Sequence, residues 1–168
     1  MYTLKKSLGQ HFLKDESVID KIIDALKQHP FHQLLEVGPG GGALTKQLIQ
    51  LPNIDFKAVE LDQEKIDFLK KNYPSLNDKI IHASFLDIDI PFKDAFTVIG
   101  NFPYKISTQI LFKILDWKDQ VPVVIGMFQK EVAERAASPS GSKAYGVLSI
   151  LIQARSEEHT SELQSRQY

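Results

Sequence analysis

Short apolar runs alternate with longer amphipathic stretches along the chain. The amphipathic stretches repeat apolar residues every three or four positions, which is the spacing of one helix face. In the first of them, Ile19, Ile22 and Leu26 fall on one stripe. Asp15 is a candidate N-cap of this helix, and Pro30 lies beyond its end. The predicted helices lie within residues 15–30, 43–51, 63–73, 106–114, 129–137 and 144–154. The predicted strands are residues 34–37, 56–60, 79–83, 96–100 and 122–128.

Strands that alternate with helices of this length predict a mostly parallel sheet with helices on both faces. Right-handed crossovers make this an α/β fold of the Rossmann-like type. In such sheets the ligand binds at the carboxyl ends of the strands. We therefore expect every residue of the functional site to follow a strand.

A cluster of glycines follows the first predicted strand and opens the next helix, in the sequence EVGPGGGAL. Glycines let the backbone turn tightly there and approach a ligand without a side chain in the way. Gly38, Gly40 and Ala43 fit the dinucleotide-binding pattern. Glu36 with the alternate glycines equally fits the pattern of methyltransferases that use S-adenosylmethionine. We predict that Gly38 and Gly40 bind a nucleotide-type cofactor, and the loop alone does not choose between the two.

Two acidic residues are candidates for further cofactor contacts. Glu60 ends the second predicted strand, 22 positions after Gly38. A carboxylate there is placed to accept hydrogen bonds from ribose hydroxyl groups. Asp87 follows the third strand, where it would accept a hydrogen bond from an exocyclic adenine amine. Because aspartate is common in loops, the assignment of Asp87 depends on the other residues.

The sequence NFPY, residues 101–104, follows the fourth predicted strand and would lie beside the glycine loop. One reaction that would use this motif is methyl transfer to N6 of adenine. The lone pair of this nitrogen is delocalised into the ring, so the transfer requires hydrogen-bond acceptors for its two hydrogens. The Asn101 side-chain oxygen and a main-chain carbonyl group would supply them. Tyr104 would stack on the base, and Pro103 would stiffen the loop. In-line placement by these residues would then provide most of the rate advantage, without a strong base.

Composition and charge narrow the classes of function. The chain has 168 residues and no cysteine, which excludes disulfides and thiolate chemistry. It has no long apolar segment and no apolar leader, so we expect a cytoplasmic protein. The net charge is −1, yet residues 102–155 hold seven Lys or Arg against four Asp or Glu. Both a basic face for nucleic acid and an ordinary solvated surface are consistent with this balance.

The chain resembles the ribosomal RNA adenine dimethyltransferases of the kasugamycin-sensitivity type, which act on the small subunit. The resemblance runs from Lys5 to Ala154 and is carried by the blocks KKSLGQHFL, EVGPGGGALT, GNFPYKIS and QKEVAERAASPSGSKAYGVLS. It implies an S-adenosylmethionine-dependent enzyme that places two methyl groups on N6 of each of two adjacent adenines. These adenines lie in the hairpin loop near the 3′ end of small-subunit RNA. We expect a monomer that acts on the immature small subunit, without a metal and without a membrane.

The resemblance also implies roles for individual residues. The implied cofactor contacts are His11, Leu13, Gly38, Glu60, Asp87 and Asn101. Residues 101–104 would hold the target adenine, flipped out of its surroundings. Lys143 and Tyr145 would lie in the loop that flanks the target site. Two residues depart from the pattern of the family: His11 stands where many members have Asn, and Lys105 replaces an Asn that often follows the motif tyrosine.

The end of the chain departs further from the family. Residues 155–168, RSEEHTSELQSRQY, have no apolar periodicity and resemble the translation of a synthetic sequencing adapter. We therefore expect an incomplete methyltransferase domain over residues 1–154, followed by a non-native, disordered tail. The last two strands and the C-terminal helical domain of the family would be missing.

Three other functions remain open at this point. One is a nucleic-acid-binding module without catalysis that binds the immature small subunit. Another is a large-subunit ribosomal RNA adenine methyltransferase, which shares the glycine loop and a similar N-x-P-Y motif. A dinucleotide oxidoreductase is the third, although NFPY would have no role in it.

Overall fold

The structure, a computed structural model, describes residues 16–102 and 105–127. Its helices are α1 (Glu16–Lys27), α2 (Thr45–Leu48), α3 (Gln63–Asn72) and α4 (Ser107–Asp116). Its strands are β1 (Gln33–Val37), β2 (Asp55–Glu60), β3 (Ile80–His82), β4 (Thr97–Asn101) and β5 (Val123–Met127). Two short 3-10 helices, Pro74–Leu76 and Phe85–Asp87, flank β3. None of the helices in these two ranges has the length and apolar character that a membrane crossing requires.

The five strands form one parallel sheet in the order β3-β2-β1-β4-β5. All five predicted strands are present, so the prediction of a parallel α/β sheet is confirmed. Leu34 of β1 pairs with Phe56 on one side and with Thr97 on the other, which places β1 at the centre. The chain builds the sheet in one direction from β1 to β3 and then returns to the other side of β1. The carboxyl ends of β1 and β4 therefore form the switch point at which such sheets bind ligands.

Helices cover both faces of the sheet, because successive residues of a strand point to opposite faces. Leu34 packs in one core cluster with Leu26 and other residues of the first three helices. Leu35 packs in a second cluster with Ile110 and Ile114 of α4. Complete burial of such a side chain contributes about 1.5–3 kcal/mol. The apolar runs and the helical stripes of the sequence therefore account for the three layers.

The helix predicted over residues 43–51 is shorter than expected. Regular α-helix covers only Thr45–Leu48. The residues after it form hydrogen bonds between positions three apart, such as the Leu51 N–H to the Leu48 carbonyl group (3.2 Å). These tighter turns end at Asn53, whose φ of 58° redirects the chain towards β2. The helices predicted at 129–137 and 144–154 lie outside the described residues.

Candidate functional site

Three predicted site residues lie side by side at the carboxyl edge of the sheet. Val37 at the end of β1 is level with Gly100 of β4. Gly38 is the first residue after β1 and Asn101 is the last residue of β4, so the two lie at the same level. Glu60 is the last residue of β2 and comes directly after Val59, which pairs with Val37 of β1. These three residues therefore lie at or directly after the carboxyl ends of their strands, as a site at the switch point requires.

The glycine loop leaves β1 with a backbone conformation that glycine adopts most readily. Gly38 has a φ of 65° and Gly40 a φ of 57°, both in the left-handed region. The Gly38 N–H donates to the Val59 carbonyl group (2.9 Å), which ties the start of the loop to β2. A Cβ on Gly38 would meet no atom within 4 Å. This part of the loop therefore borders open space.

Glu60 braces the glycine loop as well as ending β2. Its Oε2 accepts a hydrogen bond from the Gly40 N–H (3.2 Å), and its Oε1 accepts from the N–H groups of Leu61 and Asp62 (3.0 and 3.1 Å). Asp62 in turn caps α3 by accepting from the Glu64 N–H (2.9 Å). A carboxylate offers about four lone-pair positions. The donors found within residues 16–102 and 105–127 therefore leave one acceptor position of Glu60 for a hydroxyl group of a ligand.

A cavity of about 350 Å³ opens between the glycine loop and the start of α4. Its apolar walls are formed by side chains at the end of the sheet, in the 3-10 helix after β3 and at the start of α4: Val37, Val59, Phe85, Ile106 and Ile110. Gly38 and Glu60 lie in the same wall, and the exposed Lys105 is also part of it. An apolar cavity with a few convergent polar groups is typical of a cofactor or small-molecule site.

Asp87, a predicted cofactor contact, does not line this cavity, and neither do Gly40 and Asn101. Asp87 ends a 3-10 helix, is exposed and does not line the cavity. Its charge acts on Lys113 instead: burial lowers the pKa of Lys113, and Asp87 opposes that shift. Ser84 lines the cavity, and its hydroxyl accepts from the Leu86 N–H (3.3 Å) at the start of the 3-10 helix that carries Asp87 outward. The sequence signal for Ser84 is its position two residues after β3, whereas Asp87 comes five residues after it.

Close packing between β4 and β5 fixes the direction in which Asn101 leaves the sheet. Gly100 and Gly126 are cross-strand partners, and the Phe102 ring lies against both. A Cβ on Gly126 would overlap the Phe102 ring and the Gly100 carbonyl group. The Phe102 N–H donates to the Met127 carbonyl group (3.2 Å). The two glycines therefore allow Phe102 to pack in the core with α4, and Asn101, the last residue of β4, directly precedes this anchor.

Glu36 is a residue of this region to which the sequence analysis assigned no role of its own. Its side chain is 1% exposed, and its Oε2 accepts a hydrogen bond from Thr45 Oγ1 (2.7 Å). Burial raises the pKa of Glu36 to about 8, the Thr45 hydrogen bond opposes this shift, and the charge of Glu60 adds to it. The signal in the sequence is a carboxyl group that interrupts an apolar strand directly before the glycine loop.

Several predicted residues lie outside the described ranges. These are His11, Leu13, Pro103, Tyr104, Lys143 and Tyr145, together with the tail from residue 155. Within the described ranges, no group of three histidine or acidic side chains is arranged to hold a metal ion. The part of the site that the structure describes therefore consists of the cavity with Gly38, Glu60 and Ser84 in its wall, and of Asn101 at the neighbouring strand end.

Most of this chain matches a protein family, related sequences and solved structures. The family model described as ribosomal RNA adenine dimethylase matches residues 1–160. The ribosomal RNA small subunit methyltransferase A of Cytophaga hutchinsonii is 50% identical over 153 residues, which cover 89% of this chain and 59% of that protein. A dimethyladenosine transferase from Plasmodium falciparum has a TM-score of 0.72 and 32% identity, over 85% of this chain and 52% of that one. The 23S rRNA methyltransferase ErmE has a TM-score of 0.66 and 25% identity, over 78% and 53%.

These matches decide the fold and the family. The two solved structures are methyltransferases with the same sheet, so the predicted Rossmann-like methyltransferase fold is confirmed. The chain spans about three fifths of the length of the Cytophaga relative. The family model covers almost all of this chain, so the resemblance seen in the sequence is confirmed as well. The chain belongs to the ribosomal RNA adenine dimethylase family.

Proposed function

We propose that this chain binds S-adenosylmethionine in the cavity at the end of the sheet, and that the enzyme it belongs to methylates N6 of adenine in ribosomal RNA. The observation that carries the proposal is that Gly38 and Glu60 line this cavity, while the register of β1 and β4 brings Asn101 to the level of Gly38. The substrate is the immature small subunit. Two adjacent adenines in its 3′-terminal hairpin loop each receive two methyl groups.

The residues of the cavity fit the parts of this cofactor. The apolar walls suit a flat adenine ring, and the remaining acceptor position of Glu60 suits a ribose hydroxyl group. The open space beside Gly38 leaves the backbone accessible where a side chain would intrude. Bound there, the cofactor would supply the methyl group from its sulfonium centre.

Asn101 acts on the nitrogen that accepts the methyl group. Its side-chain oxygen accepts a hydrogen bond from the exocyclic amine of the target adenine, which directs the lone pair of the nitrogen away from the ring. The packing of Phe102 against Gly126 supports this role, because it holds the backbone next to Asn101. For Pro103 and Tyr104, which lie outside the described residues, the proposal keeps the roles expected from the sequence, a stiff loop and stacking on the base. The methylated nitrogen loses its proton readily, so no strong base is required.

Methyl transfer from labelled S-adenosylmethionine tests this proposal. Unmethylated small subunits are incubated with three proteins: the parent, Asn101→Ala and Asn77→Ala. Each protein is tested both as the 168-residue chain and as a full-length version with the C-terminal part of the family. Asn77 is an exposed asparagine at the end of a 3-10 helix, so its replacement controls for loss of an amide elsewhere. The full-length parent and Asn77→Ala should label small-subunit adenines, and Asn101→Ala should be slower by about 100-fold or more. Equal labelling by Asn101→Ala and the parent would remove the role given to Asn101.

The structural likeness to ErmE supports a second candidate, a large-subunit ribosomal RNA adenine methyltransferase. The same assay with unmethylated large-subunit RNA separates the two, because the preferred RNA takes up the label faster. Binding of small subunits by the full-length protein without any transfer would instead indicate a binding module without catalysis. We expect transfer to the small subunit.

A further inference from the structure

One buried hydrogen bond ties together the two ends of the glycine loop. Glu36 lies on β1 two residues before Gly38, and Thr45 is the first residue of α2 after the loop. Thr45 Oγ1 donates to Glu36 Oε2 at 2.7 Å, and neither side chain is more than 1% exposed. The loop that borders the cavity is therefore closed at its base by a buried carboxyl group.

The surroundings of Glu36 favour its neutral form. Burial raises the pKa of Glu36 to about 8, and the nearby charge of Glu60 on β2 adds to the rise. On α2 the nearest charged group is Lys46, which pairs at the surface with Glu16 of α1 (3.4 Å). On β4 the residue level with Glu36 is the apolar Ile99. Among the described residues, Glu60 is the charged group that raises this pKa, and it lines the cavity together with Asp62, Lys65 and Lys105.

A buried acid of this kind stabilises the fold less than an amide of the same shape would. Near neutral pH the unfolded chain releases the proton and the folded chain keeps it, so the acid favours unfolding. An amide would fill the same space and accept the same hydrogen bond from Thr45 without this penalty. The carboxyl group therefore points to a role beyond packing.

We propose that Glu36 is a proton-coupled positioning residue of the cofactor site. Without ligand, its neutral carboxyl group holds α2 against the end of β1. When a cation occupies the cavity, Glu36 releases its proton to solvent and becomes a carboxylate, while the Thr45 hydroxyl continues to donate to it. An opposite charge nearby favours the ionised form of an acid. Glu36 therefore responds to the charge of the ligand without lining the cavity.

This inference rests on the proposed function, because S-adenosylmethionine carries a positive sulfonium centre and its demethylated product, S-adenosylhomocysteine, does not. The two ligands otherwise have nearly the same shape. A site with this coupling distinguishes them by charge. Binding of the methyl donor releases a proton, and binding of the product leaves Glu36 neutral.

Titration calorimetry of the 168-residue chain tests the coupling. Each ligand is titrated near neutral pH in two buffers with different ionisation enthalpies, which gives the number of protons released. The parent should release about half to one proton with S-adenosylmethionine and close to none with S-adenosylhomocysteine. Its affinity for S-adenosylmethionine should rise with pH, by up to about tenfold per pH unit below the pKa of Glu36. Glu36→Gln should release no proton with either ligand.

Thr45→Val gives a second, independent variant, because it keeps the shape of the side chain and removes the donor. The Thr45 hydrogen bond lowers the pKa of Glu36, so the proton release of this variant should appear at higher pH than in the parent. Equal proton counts for the two ligands in the parent, or unchanged release in Glu36→Gln, would overturn the inference and leave cofactor binding intact. Failure of both ligands to bind would overturn the proposed function and this inference with it.

Discussion

Replacement of Glu60 by glutamine tests whether this residue braces the glycine loop as well as facing a ligand. The carboxylate accepts one N–H at Oε2 and two at Oε1. A glutamine has one acceptor oxygen, and its amide nitrogen faces an N–H in either orientation. The less costly orientation keeps the hydrogen bonds from Leu61 and Asp62. In this orientation the Gly40 N–H faces the amide nitrogen of the glutamine, which is also a donor.

The size of the effect follows from these three contacts. A hydrogen bond to a charged group contributes about 1.5–3 kcal/mol, and one between neutral groups about 0.5–1.5 kcal/mol. Loss of one charged bond and weakening of two others would cost about 3–5 kcal/mol, and removal of a buried charge offsets part of this. We expect Glu60→Gln to lower the free energy of unfolding by about 2–4 kcal/mol. For a chain of this size the melting temperature would fall by roughly 5–15 °C.

Thermal unfolding and titration calorimetry together check this prediction. Glu64→Gln is the matched control, because Glu64 is an exposed residue in the first turn of α3. The control should melt within about 2 °C of the parent, since exposed substitutions change stability little. Glu60→Gln should lose both stability and affinity for S-adenosylmethionine. Should it melt with the parent and lose affinity alone, Glu60 would contact only the ligand and the bracing role would be refuted.

Three further predictions concern packing and pH. Gly126→Ala should lower the urea midpoint, because its Cβ overlaps the Phe102 ring and the Gly100 carbonyl group, and overpacking costs about 1–3 kcal/mol; an unchanged midpoint would contradict this. Leu26→Ala removes a fully buried side chain of α1 and should cost about 2–5 kcal/mol by the same measurement, whereas a loss below about 1 kcal/mol would mean that the site is not packed as described. Glu36 keeps its proton in the folded chain from the unfolded pKa of 4.5 up to about 8, so parent stability should fall as pH rises through this window, on the order of 4–5 kcal/mol in all. Glu36→Gln should remove this dependence of stability on pH. If the free energy of unfolding from urea titrations changed equally in the parent and in Glu36→Gln between about pH 5 and pH 8.5, that result would argue against a buried neutral acid.

The sheet could be predicted because buried parallel strands form continuous apolar runs. Residues 96–100 are such a run, and they correspond closely to β4. The length of α2 could not be predicted in the same way. Leu44, Leu48 and Leu51 suit a regular helix and a tighter turn equally, since both bring residues three or four apart to one side. The hydrogen bonds between positions three apart, which end the regular helix at Leu48, leave no mark in the apolar pattern.

The site could be predicted as far as its residues lie at strand ends. The prediction of Gly38, Glu60 and Asn101 required only the positions at which three strands end, because the parallel register brings those positions together. Asp87 comes five residues after β3, and by then the local turn decides the direction of the chain. Ser84 begins that turn and lines the cavity itself. The direction of Asp87 therefore depends on the 3-10 helix after β3, which the spacing from the strand does not predict.

The two glutamates beside the glycine loop show why residue type alone does not give chemistry. At Glu60, three backbone N–H groups converge on the carboxylate, which compensates for its removal from water. At Glu36, one hydroxyl group donates to a side chain buried between the sheet and α2, and the negative charge of Glu60 lies close by. The same side chain therefore braces the loop as a carboxylate on one side and as a neutral acid on the other. A cation bound in the cavity would favour ionisation of the neutral acid, so the methyl donor and pH act on the same group.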